Sequence, residues 1–345
     1  MYHIEVIPHI LHFKRPAGTS RGVYNIRKVW YIRLTSDEQA ERIGVGECAP
    51  LPDLSPDLFS DYEERLIDIC RRVGQEGRFD RESLQQYPSI LFGLETAFRH
   101  FEMNNYALWD TAFSRSKAGI IINGLIWMSD YDTMLRHIEE KIKSGFHCIK
   151  LKIGAIDFEE EVKLLKHIRN HFSASEIELR VDANGAFTPD EAKGKLERFA
   201  AFDIHSIEQP VRAGQWDEMA RLTSETPVPI ALDEELIGIH SPEEKRRMLQ
   251  TIHPQYIILK PTLHGGISGS GEWINTFESI SGKKNNWWVT SALESNIGLN
   301  AIAQWCATLG NPLPQGLGTG LLFTDNIPMP LTIRGDKLWF NHAGE

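Results

Sequence analysis

Little in this sequence suits a cross-linked, membrane-spanning or nucleic-acid-binding protein. Its four cysteines, Cys48, Cys70, Cys148 and Cys306, are scattered, and no two stand at the spacing of a zinc or redox motif. Reduced thiols in a cytoplasmic protein account for them. No apolar run is long enough to cross a bilayer, and Met1-Tyr2-His3-Ile4-Glu5 lacks the basic-then-apolar order of a secretion signal. A formal net charge of −10, with no run of lysine and arginine, argues against nucleic acid and anionic membrane as partners. No serine–histidine or cysteine–histidine nucleophile signature is present. His147, His167 and His264 lack metal spacing and read as surface or satisfied core residues.

What is present is a soluble composition, 41% hydrophobic and 24% charged, in 345 residues, enough for one large domain or two. The N-terminal third reads as α+β. Ile4 to Phe13, Val29 to Leu34 and Ile43 to Cys48 have strand character, and Lys14 to Gly22 reads as a mobile polar loop. Asp57 to Gly74 and Pro88 to Asn104 carry helical apolar spacing. From about Ile120 the rhythm becomes strand and helix in alternation. Strands are predicted at 120–127, 148–152, 177–182, 204–208, 229–233, 256–260 and 287–291, with a short last one at 316–318. Thr188-Pro189 and Ser241-Pro242 open two of the intervening helices. Eight strands and about seven helices fit a closed parallel barrel better than an open sheet.

Such barrels work at the carboxyl ends of their strands. Cys148-Ile-Lys150-Leu-Lys152 puts both lysines on one strand face, which suits either a solvated edge or an interior site. Asp182, Glu208 and Asp233 end the next three strands, and Lys260 ends the sixth. Three carboxylates on consecutive strands suit a hard divalent cation such as Mg²⁺. The plainer alternative is that each caps a helix or pairs with a base. Glu234 and Glu235 read as helix-dipole or supporting residues rather than ligands. Lys152 and Lys260 fall on opposite sides of the barrel, and burial beside positive charge lowers a lysine pKa toward usefulness as a base. Ser291-Ala-Leu-Glu294 matches a capping box as well as a substrate contact. Gly316-Leu-Gly318-Thr-Gly320 is no dinucleotide fingerprint and reads as a loop, with close approach to an anionic ligand as the alternative. Trp288 is expected to face outward, against the helices.

Together, Lys150-Leu-Lys152, Asp182-Ala-Asn184, Glu208-Gln-Pro210, Asp233-Glu234, Lys260-Pro261 and the Gly44-Val-Gly46-Glu-Cys-Ala-Pro50 run resemble the muconate-lactonizing subgroup of the enolase superfamily. The resemblance implies a modified TIM barrel, (β/α)7β, with an N-terminal α+β capping domain. The expected division is 1–110 for the cap, 111–325 for the barrel, and 326–345 for a segment returning to the cap. It implies Mg²⁺ (Mn²⁺ as an alternative) on Asp182, Glu208 and Asp233, and catalytic roles for Lys152, Lys260 and Lys150. Asn184, Ser291, Ala292 and Leu293 are implied as substrate-binding, with Pro16–Gly22 and Cys48–Leu54 as covers. Within the subgroup the Ser291 and Gly316 runs point to a hydro-lyase. It would carry out syn-dehydration of a succinyl-bearing hydroxycyclohexadiene carboxylate in menaquinone biosynthesis, through an enediolate. The alternative is racemisation of N-succinylamino acids or epimerisation of dipeptides by the same two lysines. A small-molecule carboxylate is the expected partner, and the oligomeric state is left open.

Overall fold

A computed structural model describes residues 1–19 and 22–341. The chain opens with two long antiparallel strands, β1 (Tyr2–Thr19) and β2 (Gly22–Ser36), followed by β3 (Gly44–Cys48) on the far side of β2. Alternation sets the register, with Ile4 opposite Leu34 and Val6 opposite Ile32. The stretch expected to be a loop from Lys14 is largely the tip of this hairpin. After an irregularity between His12 and Ala17, pairing resumes at Ala17–Tyr24 and runs to Thr19–Gly22. Backbone hydrogen bonds outweighed the polar, glycine-bearing composition there. Ser20 and Arg21 lie outside the described residues.

Helices α1 (Tyr62–Glu76), α2 (Arg81–Leu84) and α3 (Pro88–Met103) cover this sheet. Gly44 and Gly46 face α3 so closely that a Cβ on either would overlap the carbonyl oxygens of Ala97 and Gly93. That contact explains the Gly-x-Gly spacing.

After β4 (Ile120–Ile121), the barrel follows as β5 (Gly124–Ile126), α4 (Tyr131–Lys143), β6 (Cys148–Lys152), α5 (Phe158–His171), β7 (Glu178–Asp182) and α6 (Pro189–Phe199). It continues as β8 (Ile204–Glu208), α7 (Trp216–Glu225), β9 (Ile230–Leu232), α8 (Pro242–Ile252), β10 (Tyr256–Leu259), α9 (Gly266–Ser281), β11 (Trp287–Val289) and α10 (Asn296–Leu309). Helix starts are capped as the sequence signals: Ser241 Oγ accepts from Glu244 N at 3.1 Å, and Glu191 Oε1 accepts from Thr188 N at 3.2 Å. Strands β5 to β11 form one parallel sheet in chain order.

The eighth position is filled by Gln315 and Gly316 alone. Gly316 bridges to Thr290, Gln315 bridges to Ile122, and Asn123 N donates to Gln315 O at 3.0 Å. Pro312 and Pro314 lack amide donors and glycines follow, so the predicted strand at 316–318 shrinks to this bridge.

Outward strand residues such as Leu151, Val181 and Leu259 pack with the helices in one large core. Ala231, Ile258 and Trp288 fill the barrel interior, with the Arg180 guanidinium 4.1 Å above the Trp288 ring. Trp288 therefore points inward, contrary to the expectation, and Trp287 is the one packed with the helices. The inward Arg180 supplies the ring with a cation partner.

The C-terminal segment meets both the N-terminal unit, where Ile327 packs with the cluster of Leu11, Val29 and Tyr31, and the barrel. The chain touches the N-terminal hairpin earlier, where Lys14 N donates to Leu322 O at 2.8 Å and Thr324 N to His12 O at 2.9 Å. The later strands, β12 (Leu331–Arg334) and β13 (Lys337–Phe340), form a hairpin whose second strand pairs with β4, Leu338 opposite Ile120. Burial of Leu338 and Phe340 against the barrel core holds it there. Residues 342–345 lie outside the described residues.

Candidate active site

Strand pairing alone brings the charged residues together. β6 and β7 set Lys152 beside Asp182, and β7 and β8 set Asp182 beside Glu208. Asp233 and Lys260 directly follow β9 and β10. Lys150 Nζ donates to Asp182 Oδ2 at 3.1 Å and to Glu208 Oε2 at 2.7 Å. Lys152 Nζ donates to Asp182 Oδ2 at 2.6 Å and to Asn184 Oδ1 at 2.8 Å. Lys260 Nζ donates to Asp233 Oδ2 at 2.5 Å. All six charged side chains are buried. In a ring of eight, β6 and β10 stand four places apart, which sets Lys152 and Lys260 across the barrel from one another.

The chain leaves the strands through strained backbone. Asn184, Gln209 and Leu293 have φ of 46°, 36° and 66°. Side-chain amides hold the first two of these turns in place. Gln209 Oε1 accepts from Asp233 N and Glu235 N, both at 3.2 Å, while its Nε2 donates to Glu235 Oε2 at 2.9 Å. Asn184 Nδ2 donates to Glu234 Oε1 at 3.0 Å. Glu234 and Glu235 thus brace the loops.

Burial and charge pull the titratable groups apart. Burial pushes the Glu208 carboxyl up to about 8, with Lys150 opposing and Asp182 adding to the rise. For Asp182, Lys152 and Lys150 outweigh burial, and its carboxyl lies far below the ordinary range. Burial, reinforced by Lys150 and Lys260, lowers Lys152 even with Asp182 beside it. Lys260 is raised, because Asp233 and Glu234 outweigh its burial. His264 is a core residue, one of its two expected readings: its Nδ1 accepts from Lys260 N at 3.1 Å, and burial lowers its imidazole to about 3.

Asp182, Glu208 and Asp233 each offer an oxygen within 4.8 Å of the others. Among the described residues, Glu208 Oε1 and Asp233 Oδ1 are buried with no hydrogen-bond partner. Converging carboxylate oxygens with unspent lone pairs fit a hard divalent cation of the Mg²⁺ kind.

A cavity of about 70 Å³ opens beside Lys150, Lys152 and Lys260. Asn184, Ser291, Ala292 and Leu293 line it. From the N-terminal unit come Thr19 and Tyr24 of the hairpin tip and Leu51 and Leu54 of the turn after β3. Sequence reasoning missed Tyr24, Asn123, Trp127 and Thr290, whose residue types carry no signal until the loops are assembled. Gly316, Gly318 and Thr319, read as loop, also line the cavity. Gly316 is required there, since a Cβ would overlap Thr290 Oγ1.

Glu294 does not belong to the expected capping box. Ser295 caps α10, and the buried Glu294 accepts from Ser291 Oγ at 2.5 Å and from Thr262 Oγ1.

Residues 133–338 match the family described as Enolase C-terminal domain-like, and residues 21–101 match MenC, N-terminal domain. An o-succinylbenzoate synthase of Desulfotalea psychrophila is 43% identical, the match covering 95% of this chain and 96% of that protein. The crystal structure of MenC from Desulfotalea psychrophila LSv54 superimposes with a TM-score of 0.84 at 38% identity, covering 98% of this chain and 99% of that one. An L-Ala-D/L-Glu epimerase of Bacillus subtilis is 26% identical, covering 84% of this chain and 80% of that protein.

Proposed function

The chain belongs to the enolase superfamily, within the o-succinylbenzoate synthase family, and from that premise we propose that it dehydrates 2-succinyl-6-hydroxy-2,4-cyclohexadiene-1-carboxylate to 2-succinylbenzoate in menaquinone biosynthesis. It is a carbon–oxygen lyase working in the cytoplasm, and no helix among the described residues is long and apolar enough to cross a membrane. The observation that carries the reading is a cavity walled by two lysines from opposite sides of the barrel, with three converging carboxylates beside it.

Mg²⁺ (or Mn²⁺) held by Asp182, Glu208 and Asp233 would supply Lewis-acid stabilisation of the enediolate. Lys152 would take the proton from the carbon that bears the ring carboxylate. Its lowered pKa keeps a share of neutral amine available for that step. The same ammonium would then hand the proton to the departing hydroxyl on the same face, so that water leaves syn. Lys260, held charged by Asp233, would stabilise the ring anion from the other side as a cation beside a π system. Lys150 would offset the substrate carboxylate's charge. Asn184, Ser291 and the Ala292–Leu293 backbone would hold the substrate, with the unit of residues 1–110 as cap. Aromatisation drives the second half, so the first proton transfer is what the site must assist.

The second reading is racemisation or epimerisation, favoured by the same pair of opposed lysines. A dipeptide epimerase needs an acidic pair after the last strand to hold a peptide amine, and Gly316-Leu-Gly-Thr-Gly320 offers none.

The test is turnover of the cyclohexadiene carboxylate with Mg²⁺, followed by the absorbance of the aromatic product. Chelation and Lys152→Ala should each lower it by about 10²-fold or more. No turnover, with deuterium entering N-succinylamino acids at the α carbon in D₂O, would replace dehydration by racemisation.

A further inference from the structure

Arg27 lies on β2, and its guanidinium is fully buried at the seam between the N-terminal unit and the barrel. Its hydrogen bonds all go to backbone carbonyls. On the N-terminal side Nη1 donates to Pro50 O at 2.5 Å and to Lys28 O at 3.4 Å, and Nη2 donates to Ala49 O at 2.6 Å. On the barrel side Nη2 donates to Ala292 O at 3.4 Å and Nε to Leu293 O at 3.3 Å. The buried Glu294 is the larger of the acidic influences on its charge.

One planar cation therefore grips two chain segments that form different walls of the same cavity. Ala49 and Pro50 lead into Leu51, which lines it, and Ala292 and Leu293 line it directly. Leu293 is also the residue held at φ 66°, a conformation a leucine keeps only when its surroundings impose it. Ser291 Oγ accepts from its N–H at 3.1 Å, and Arg27 takes its carbonyl. A guanidinium suits this task because its donors are fixed in one plane, whereas an ammonium is a single point with rotating donors.

We propose that Arg27 is a positioning residue for substrate: it sets the gap between the Leu51 wall and the Ala292–Leu293 wall, and so the fit of the part of the substrate that the lysines and carboxylates do not hold. This rests on the proposed dehydratase reading of the cavity. The lysines and acidic residues hang from β6 to β10, which Arg27 does not touch, so its loss should act on binding rather than on the proton transfer.

Arg27→Lys keeps the charge but cannot serve both segments. With the succinyl substrate, KM should rise about tenfold while kcat stays within about threefold and Mg²⁺ affinity is unchanged. Discrimination against an analogue one methylene shorter should fall by about the same tenfold factor. A lowered melting temperature with KM and discrimination intact would make Arg27 merely structural and overturn the proposal, as would a fall in kcat at unchanged KM. Should Arg27→Lys not fold, wild-type amide exchange decides. Segments 49–51 and 291–294 should open together with a common protection factor, and protection differing by more than about tenfold would overturn the clamp. Failure of wild-type turnover would instead count against the dehydratase reading, and the exchange comparison would still judge Arg27.

Discussion

Glu208 carries the electrostatic conflict of the site in one side chain. It is fully buried, one oxygen is taken by Lys150, the other has no partner among the described residues, and burial pushes it up to about 8. Replacing it with the neutral isostere should therefore have two opposite effects. Glu208→Gln should weaken Mg²⁺ binding by about tenfold or more, because one of three anionic donors is lost. It should also leave the metal-free protein at least as stable near pH 7, since a carboxyl pushed up to about 8 is already mostly protonated there and the amide replaces a neutral acid. Calorimetric titration with Mg²⁺ and urea melts in chelator measure the two. Unchanged metal affinity would remove Glu208 from the ligand set. The identities of Lys150, Lys152, Asp182, Glu208, Asp233 and Lys260 were all legible in the sequence, because strand periodicity puts a terminal inward residue where barrels do chemistry. Gln209 and Arg27 were not legible, because each acts by hydrogen bonding to backbone far away in sequence.

At the scale of elements, two buried carboxylates of the N-terminal unit sit at the starts of barrel helices. Glu47 of β3 accepts from Ser295 N at 2.8 Å and Gly298 N at 2.8 Å, at the head of α10. Glu95 of α3 accepts from Ile267 N at 2.6 Å and Ser268 N at 3.3 Å, at the head of α9. Unsatisfied helix N–H groups thus become the docking points of the cap. For Glu47 burial outweighs the hydrogen bonds from Ser295 and Gly298 and raises the carboxyl from an ordinary 4.5 to about 7. The folded state then binds a proton that the unfolded state has released, so Glu47 makes stability fall as the pH climbs from 4.5 through 7. Glu47→Gln mimics the protonated form, and wild type should lose about 3 kcal/mol relative to it across that window. Urea melts of both proteins from pH 4.5 to 8 check this, and parallel profiles would show that Glu47 does not titrate there.

The hairpin tip is the other element with a predicted behaviour. The cavity holds about 70 Å³, while sites for small molecules usually run to a few hundred. Entry of a ring-sized ligand therefore requires the β1–β2 tip or the Leu51–Leu54 turn to yield. Amides at 15–19 and 22–24 should exchange quickly in the free protein and slow by about tenfold with 2-succinylbenzoate bound. Equal exchange with and without it would mean that the tip is no cover.

Across the whole molecule, the site ties five consecutive barrel strands and the N-terminal unit into one charged centre. A cation bound there only by the folded chain should stabilise it by mass action, about 2.7 kcal/mol at a hundred times its Kd. The melting temperature should accordingly rise with Mg²⁺, return with chelator, and rise only about half as far in Glu208→Gln at the same Mg²⁺ concentration. A rise of equal size in that variant would point to Mg²⁺ binding elsewhere.

By itself the sequence determined the class of fold and the charged residues of the site. Both follow from local rules: the alternation of strand and helix, caps such as Thr188 and Ser241, and the strict two-residue period that aims Lys150 and Lys152 the same way. Only the tertiary structure decided how the barrel closes, through a two-residue bridge at Gln315–Gly316 instead of a strand. It also turned Trp288 inward beneath Arg180, and it paired β13 with β4. The seam, where Arg27, Glu47 and Glu95 meet the barrel, belongs to the same group. Those outcomes depend on buried polar groups finding partners more than a hundred residues away, and a desolvated donor or acceptor takes whichever partner the assembled chain brings within reach.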